Sequence, residues 1–205
     1  MKRRSIILDL AGGTGAWSQP WKSTFNVINV TLPEYDLTHE KTVEHFSNLP
    51  NVFGIFFACP CTIWSNSAST IFHSRPPSLI FHHFRIFMGG YRIIQSQKDK
   101  IAFWVIENPV GKMKYLLGPK QAWFHPYHYG DPYQKLTHLW GDFLMPNKLA
   151  LMKLTKKTRG HTGFNKKYRA ETRSITPAGF AQAFYNTNNP YARFKYLLAS
   201  LHRLP

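Results

Sequence analysis

The chain's two cysteines stand one residue apart, in Ala58-Cys59-Pro60-Cys61-Thr62-Ile63-Trp64-Ser65. An apolar run, Val52 to Ala58, leads straight into this stretch, and the polar Ser65-Asn66-Ser67 leaves it. A buried strand ending in Pro-Cys points a thiol out of its C-terminal edge, where open α/β sheets bind ligands. Cys61 is therefore the candidate nucleophile. A second candidate is Glu107, which follows the apolar Ile101-Ala-Phe-Trp-Val-Ile106 and precedes Asn108-Pro109-Val110-Gly111. An acid at the end of a buried strand is costly to place, so it serves either chemistry or a structural loop cap, with Asn108 holding the loop. The third is Asp9, ahead of Leu10-Ala11-Gly12-Gly13-Thr14-Gly15-Ala16-Trp17. Glycines there let backbone approach a ligand; a plain tight turn is the alternative. The spacing is not GxGxxG and no GK[ST] follows, so neither a dinucleotide fingerprint nor a P-loop is indicated.

These groups need a scaffold. Ser5–Leu10, Asn26–Thr31, Asn51–Ala58 and Ile101–Ile106 read as buried strands. A helix is expected after the glycine turn, over His39–Leu49, over Ser78–Ser96, from Pro177 with Thr176 as its N-cap, and over Pro190–Leu201. Gly179 reads as the weak point of the helix that contains it. Strand, glycine turn and helix form the first unit of a Rossmann-like α/β fold, with a mostly parallel sheet and helices on both faces. Ile71–Pro77 reads as a loop able to close over substrate. Asp36 caps the following helix or accepts a hydrogen bond from a ligand. The segment His125–Trp140 mixes Tyr127, Tyr129 and Tyr133 with Lys135 and His138, which suits base stacking and phosphate contact, or an aromatic core.

A length of 205 residues predicts a single domain, residues 1–205. Hydrophobic residues at 43% against 18% charged exclude a disordered chain. The net charge of +16 predicts a polyanionic partner. Much of it lies in a basic, loop-rich insertion, residues 145–172, and just after it, in Lys153, Lys156, Lys157, Arg159, Lys166, Lys167, Arg169 and Arg173. Cysteines at this spacing make no disulfide framework, which fits a reducing cytoplasm. The apolar run after Met1-Lys2-Arg3-Arg4 is too short for a signal peptide, and no run reaches transmembrane length. The adjacent His82 and His83 lack ligand spacing, so no metal site is expected.

The order of these motifs resembles that of the DNA cytosine-5 methyltransferases: Asp9 and the glycine turn, Pro60-Cys61, Glu107-Asn108, the Tyr129–Gly141 segment, then Arg173-x-Ile175-Thr176-Pro177. The resemblance covers nearly the whole chain. It is strongest toward short bacteriophage members, which share phrases close to Trp104-Val-Ile-Glu-Asn-Pro-Val-Gly-Lys112 and Tyr129-Gly-Asp-Pro-Tyr-Gln-Lys-Leu-Thr-His-Leu-Trp-Gly141. The resemblance implies an S-adenosylmethionine-dependent methyltransferase fold. It implies Cys61, Pro60, Glu107 and Asn108 as catalytic residues. Asp9, Leu10, Ala11, Gly12, Gly13, Thr14, Gly15, Trp17, Thr31, Asp36, Leu37 and Pro60 would meet S-adenosylmethionine. Ser65, Lys135, Thr137 and the basic insertion would meet DNA, either duplex with a flipped cytosine or single-stranded.

The chain departs from the family pattern in four places. Cys59 replaces the first proline of Pro-Pro-Cys and is expected to face away from Cys61 as a structural residue. Thr31 stands where an acid usually binds ribose. The Gln-x-Arg-x-Arg segment becomes Gln134-Lys135-Leu136-Thr137 after Tyr133, and Lys135 keeps a charge without arginine's fork. About thirty residues separate Gly141 from Arg173, too few for a folded target-recognition domain. Relaxed specificity is expected, with the site read partly through a homodimer or helper protein. The alternatives are a degenerate nucleic-acid-binding relative, or methyl transfer to RNA or a free nucleotide. An amino-methyltransferase would use an Asn/Asp-Pro-Pro-aromatic turn and no thiol.

Overall fold

Short runs of β-branched and aromatic residues form the frame. The computed structural model describes residues 4–66, 74–148 and 174–191. Its strands are β1 (Ile6–Leu10), β2 (Asn26–Val30), β3 (Val52–Ala58), β4 (Phe103–Pro109), β5 (Ala122–Phe124) and β6 (Thr137–Asp142). They make one sheet in the order β2-β1-β3-β4-β6-β5. β1 to β4 pair in parallel, while β6 is antiparallel to both β4 and β5. Between β1 and β3 the strand order reverses, which is where open sheets of this kind form a ligand crevice.

Alternation divides the strand side chains between two apolar layers. On one face Leu8, Ile55, Phe57, Ile106 and Trp140 pack with α1 (Glu40–Ser47) and α2 (Pro77–Gln97), through Val43, Phe46, Phe87, Ile93 and Ile94. On the other, Ile7, Phe56, Val105 and Leu139 pack with Trp17, Trp21 and α4 (Ala178–Asn188), through Phe180 and Phe184. Phe180 stacks on Phe124, with ring centroids 3.7 Å apart. The expected mixed α/β sheet with helices on both faces is present. A short α3 (Lys114–Leu117) follows β4. No described helix is long and apolar enough to cross a membrane.

Local expectations changed in instructive ways. No α-helix follows the glycine turn; the chain runs through turns into a 3-10 helix, Gln19–Ser23. Ala11, Gly13 and Gly15 all have positive φ, which breaks helical backbone, and Pro20 then sits at the start of the 3-10 segment. β4 runs through Pro109 rather than ending at Ile106, so Glu107 and Asn108 are strand residues held in register by β3 and β6. The N-cap of α1 is His39, and that of α4 is Pro177 rather than Thr176. Asp36 instead accepts the Thr38 amide at 2.8 Å, a local turn bond. Gly179 is no weak point: a Cβ there would collide with the Tyr129 carbonyl, and its own amide donates to Asp131 Oδ2 at 3.1 Å. The loop over 71–73, the basic residues Lys153 to Arg173 and the helix expected beyond Tyr191 lie outside the described residues.

Candidate functional site

The C-terminal ends of β1, β3 and β4 open on one cleft of about 650 Å³. Asp9, Gly12, Gly13, Thr14 and Trp17 form one wall, and Cys59, Pro60, Cys61 and Ser65 another. Glu107 and Lys135 line the third side. The size lies within the range of small-molecule sites.

The loop that carries Cys61 is anchored in the core. Ile63 and Trp64 are buried on the α2 side of the sheet. The Cys61 carbonyl accepts the amides of Trp64 and Ser65 at 3.1 and 3.0 Å, closing a turn that leaves Cys61 half-buried at the cleft. This turn is tied to the segment after β4: Asn66 donates to the Val110 carbonyl at 2.8 Å and Lys112 to that of Trp64 at 2.6 Å. The approach is so close that a Cβ on Gly111 would strike the Trp64 carbonyl. Asn108, fully buried, donates from Nδ2 to the Cys59 carbonyl at 2.8 Å. That bond joins the ends of β3 and β4 and fixes the backbone that carries Cys61.

The two cysteines differ in exposure, Cys59 buried and Cys61 half-buried. Cys59 is 3% exposed, and burial, followed by the nearby Cys61 and Glu107 charges, pushes its thiol well above the ordinary cysteine value. It is therefore a protonated structural residue. Glu107 is buried at 9% exposure, with Lys135 Nζ 3.7 Å from Oε1 and no hydrogen bond to that oxygen. A buried carboxyl oxygen without a bond at the cleft wall is a place for a substrate donor.

The glycine turn is built on Asp9, which is fully buried. The Ser18 hydroxyl donates to Asp9 Oδ2 at 2.5 Å, while Oδ1 has no partner. Burial pushes the Asp9 carboxyl up to about 6, against the lowering influence of Ser18. Any side chain on Gly12 would collide with this carboxyl group. Asn29 in β2 secures the turn by donating from Nδ2 to the Gly13 carbonyl at 2.8 Å. Space above Gly13 is open, so the turn presents bare backbone to the cleft.

Other expected site residues lie elsewhere. Leu10 is packed in the core and Gly15 is not on the cleft wall. Thr31, Asp36 and Leu37 are not on it either; Leu37 is buried under α2, where its carbonyl lies against Gly89. Thr137 is 1% exposed and its hydroxyl donates to the Lys135 carbonyl at 3.2 Å, so it faces no solvent. Sequence reasoning missed Asn29, whose only signal is a polar residue within an apolar strand. It also missed Arg75, which lines the cleft with a buried Nε that has no partner. Its signal was a lone arginine before Pro76-Pro77, after the Cys61 loop. Among the described residues no group of three His, Cys, Asp or Glu side chains is placed to hold a metal ion. No protein-family model matches this chain, and no curated relative is found for it.

Proposed function

We propose that the protein is a DNA cytosine-5 methyltransferase of Rossmann-like fold that uses S-adenosylmethionine. One observation carries this reading: a half-buried thiol, a buried carboxyl group and an open glycine turn converge on one cleft at the reversal of strand order. The residues fit the cofactor at the turn, where Gly12-Gly13 backbone lies at the cleft beside Trp17 and the unbonded Asp9 Oδ1 is buried against Gly12. Asp9, Gly12, Gly13, Thr14, Trp17 and Pro60 would hold it. When bound it supplies a methyl group on a sulfonium.

The chain's own residues supply the rest. The Cys61 thiolate adds to C6 of cytosine, forming a C–S bond and making C5 enamine-like, so that C5 takes the methyl group. Glu107 hydrogen-bonds at N3 and offsets the charge that addition places on the ring. Lys135 Nζ lies 3.7 Å from Glu107 Oε1 and adds a positive charge beside the ring that gains electron density. Asn108 keeps Cys61 and Glu107 in fixed relation through the Cys59 carbonyl. A base then removes the C5 proton and the thiolate leaves. The target base must leave the duplex or be single-stranded.

The test is incubation of the protein with methyl-labelled S-adenosylmethionine and DNA, then digestion and identification of the labelled nucleoside. The expected product is 5-methylcytosine, and Cys61→Ser should abolish it while DNA binding persists. N-methylated bases would overturn the reading. Binding without transfer would favour a degenerate nucleic-acid-binding protein, a reading that the position of Thr31, Asp36 and Leu37 off the cleft wall keeps open.

A further inference from the structure

One row of paired residues crosses the sheet from the buried anchor of the Cys61 loop to the sheet's free edge. Asn108 in β4 is in register with His138 in β6, and His138 with Trp123 in β5. Residues paired across antiparallel strands share a face. The row therefore starts beside the Cys59 carbonyl and ends on the outermost strand. Its outer end is exposed: Trp123 is 39% accessible, and Tyr115 in the adjoining α3 is 77% accessible.

Cations surround the row. Lys148 Nζ lies 4.1 Å from the centroid of the Trp123 ring, and Lys114 Nζ 5.1 Å from that of Tyr115. Burial, followed by Lys120 and Lys114, holds His138 below the ordinary histidine value. His125 and His128, which both contact Trp123, are also lowered by burial and by Lys148. Lys114, Lys120 and Lys148 are exposed, and none enters an ion pair within the described residues. Like charges that enter no ion pair repel one another, and a bound polyanion relieves that repulsion. An exposed indole among lysines adds a platform for an unpaired base.

We propose that this β5–β6 face is a track for single-stranded DNA leading to the cleft, with Lys114, Lys120 and Lys148 on phosphates and a base stacked on Trp123. The inference builds on the proposed function by naming the strand form that reaches Cys61. Lysines alone would serve a duplex equally well; the exposed Trp123 favours a strand with unpaired bases.

The test measures binding of the full-length protein to a fluorescent oligothymidine, the corresponding duplex and anionic phosphatidylserine vesicles, over a range of salt. Lys114→Ala, Lys120→Ala and Lys148→Ala together should weaken single-strand binding about tenfold or more. The salt slope should fall by about two, at about 0.7 for each phosphate that is no longer neutralised. The control variant Lys41→Ala, Lys98→Ala, Lys100→Ala removes the same charge elsewhere. Equal loss in the control would overturn the track, since net charge alone would then explain binding. Trp123→Leu should weaken single-strand binding about tenfold and leave duplex binding unchanged. Equal loss on both DNA forms would remove the stacking claim. Loss of vesicle binding with intact DNA binding would make the face a lipid surface and overturn the proposal. These readouts need no methyl transfer: a protein that binds by this track without methylating sinks only the proposed function, and one that methylates with binding indifferent to the track sinks only this inference.

Discussion

At the residue scale, the site depends on two buried polar groups, each with a distinct signature. Asn108→Ala removes the bond to the Cys59 carbonyl and leaves that acceptor buried, at about 1–3 kcal/mol. Stability should fall by that amount in urea titration, and under the proposed function methyl transfer should fall further than substrate binding, because Cys61 and Glu107 lose their common anchor. An unchanged rate would show that the bond positions nothing. Asp9 gives a pH signature. Its folded-state value, about 6, lies above the ordinary 3.8, so the native state holds the proton more tightly than the unfolded chain. Stability from this group is fully present below pH 3.8 and is lost as pH rises through about 6, about 3 kcal/mol in all. Asp9→Asn abolishes that titration. Its stability relative to the parent should therefore rise between pH 4 and pH 7, as melting at the two pH values would reveal; a constant difference would refute it.

At the element scale, glycines mark where backbones meet. Gly179→Ala tests this against helix propensity, which alone predicts a gain of about 1 kcal/mol within α4. The Cβ collides with the Tyr129 carbonyl, so the variant should instead be destabilised by about 1–3 kcal/mol in denaturant titration. A gain in stability would mean that the helix shifts at little cost. This glycine also shows the limit of reading the chain by pattern. Strands β1 to β4 were legible because apolar runs bounded by turn residues have few other uses. Cys61, Glu107 and the glycine turn were legible because costly residue types ended those runs. Gly179 was misread because its partner, Tyr129, is fifty residues away and no local pattern encodes it. The 3-10 segment was misread for a different reason: positive φ at Ala11 is a tertiary demand on a residue that favours helix. Arg75 and Asn29 were overlooked because each gains meaning only from what faces it.

At the scale of the whole molecule, charge is unevenly divided along the chain. Residues 149–173 hold eight of the 26 lysines and arginines and one acid. Among the described residues that line the cleft, charges are balanced: Asp9 and Glu107 accompany Arg75 and Lys135. Under the proposed function, recognition of the polyanion and chemistry on the base are thus carried by different parts of the sequence. Replacing Lys153, Lys156, Lys157, Arg159, Lys166, Lys167, Arg169 and Arg173 by glutamine should flatten the dependence of DNA affinity on salt. The slope should fall by several units if most of these side chains neutralise phosphates, at about 0.9 per phosphate on duplex DNA. At low salt and saturating DNA, the rate of methyl transfer should change little, because the proposed chemistry is assigned to Cys61, Glu107 and Asn108 and to none of the replaced residues. Affinity and rate are measured on the same oligonucleotide at several salt concentrations. An unchanged salt slope would assign the charge to solubility rather than recognition. A collapsed rate at saturating DNA would mean that the basic segment acts on the reacting base itself, and the separation of grip from chemistry would have to be abandoned.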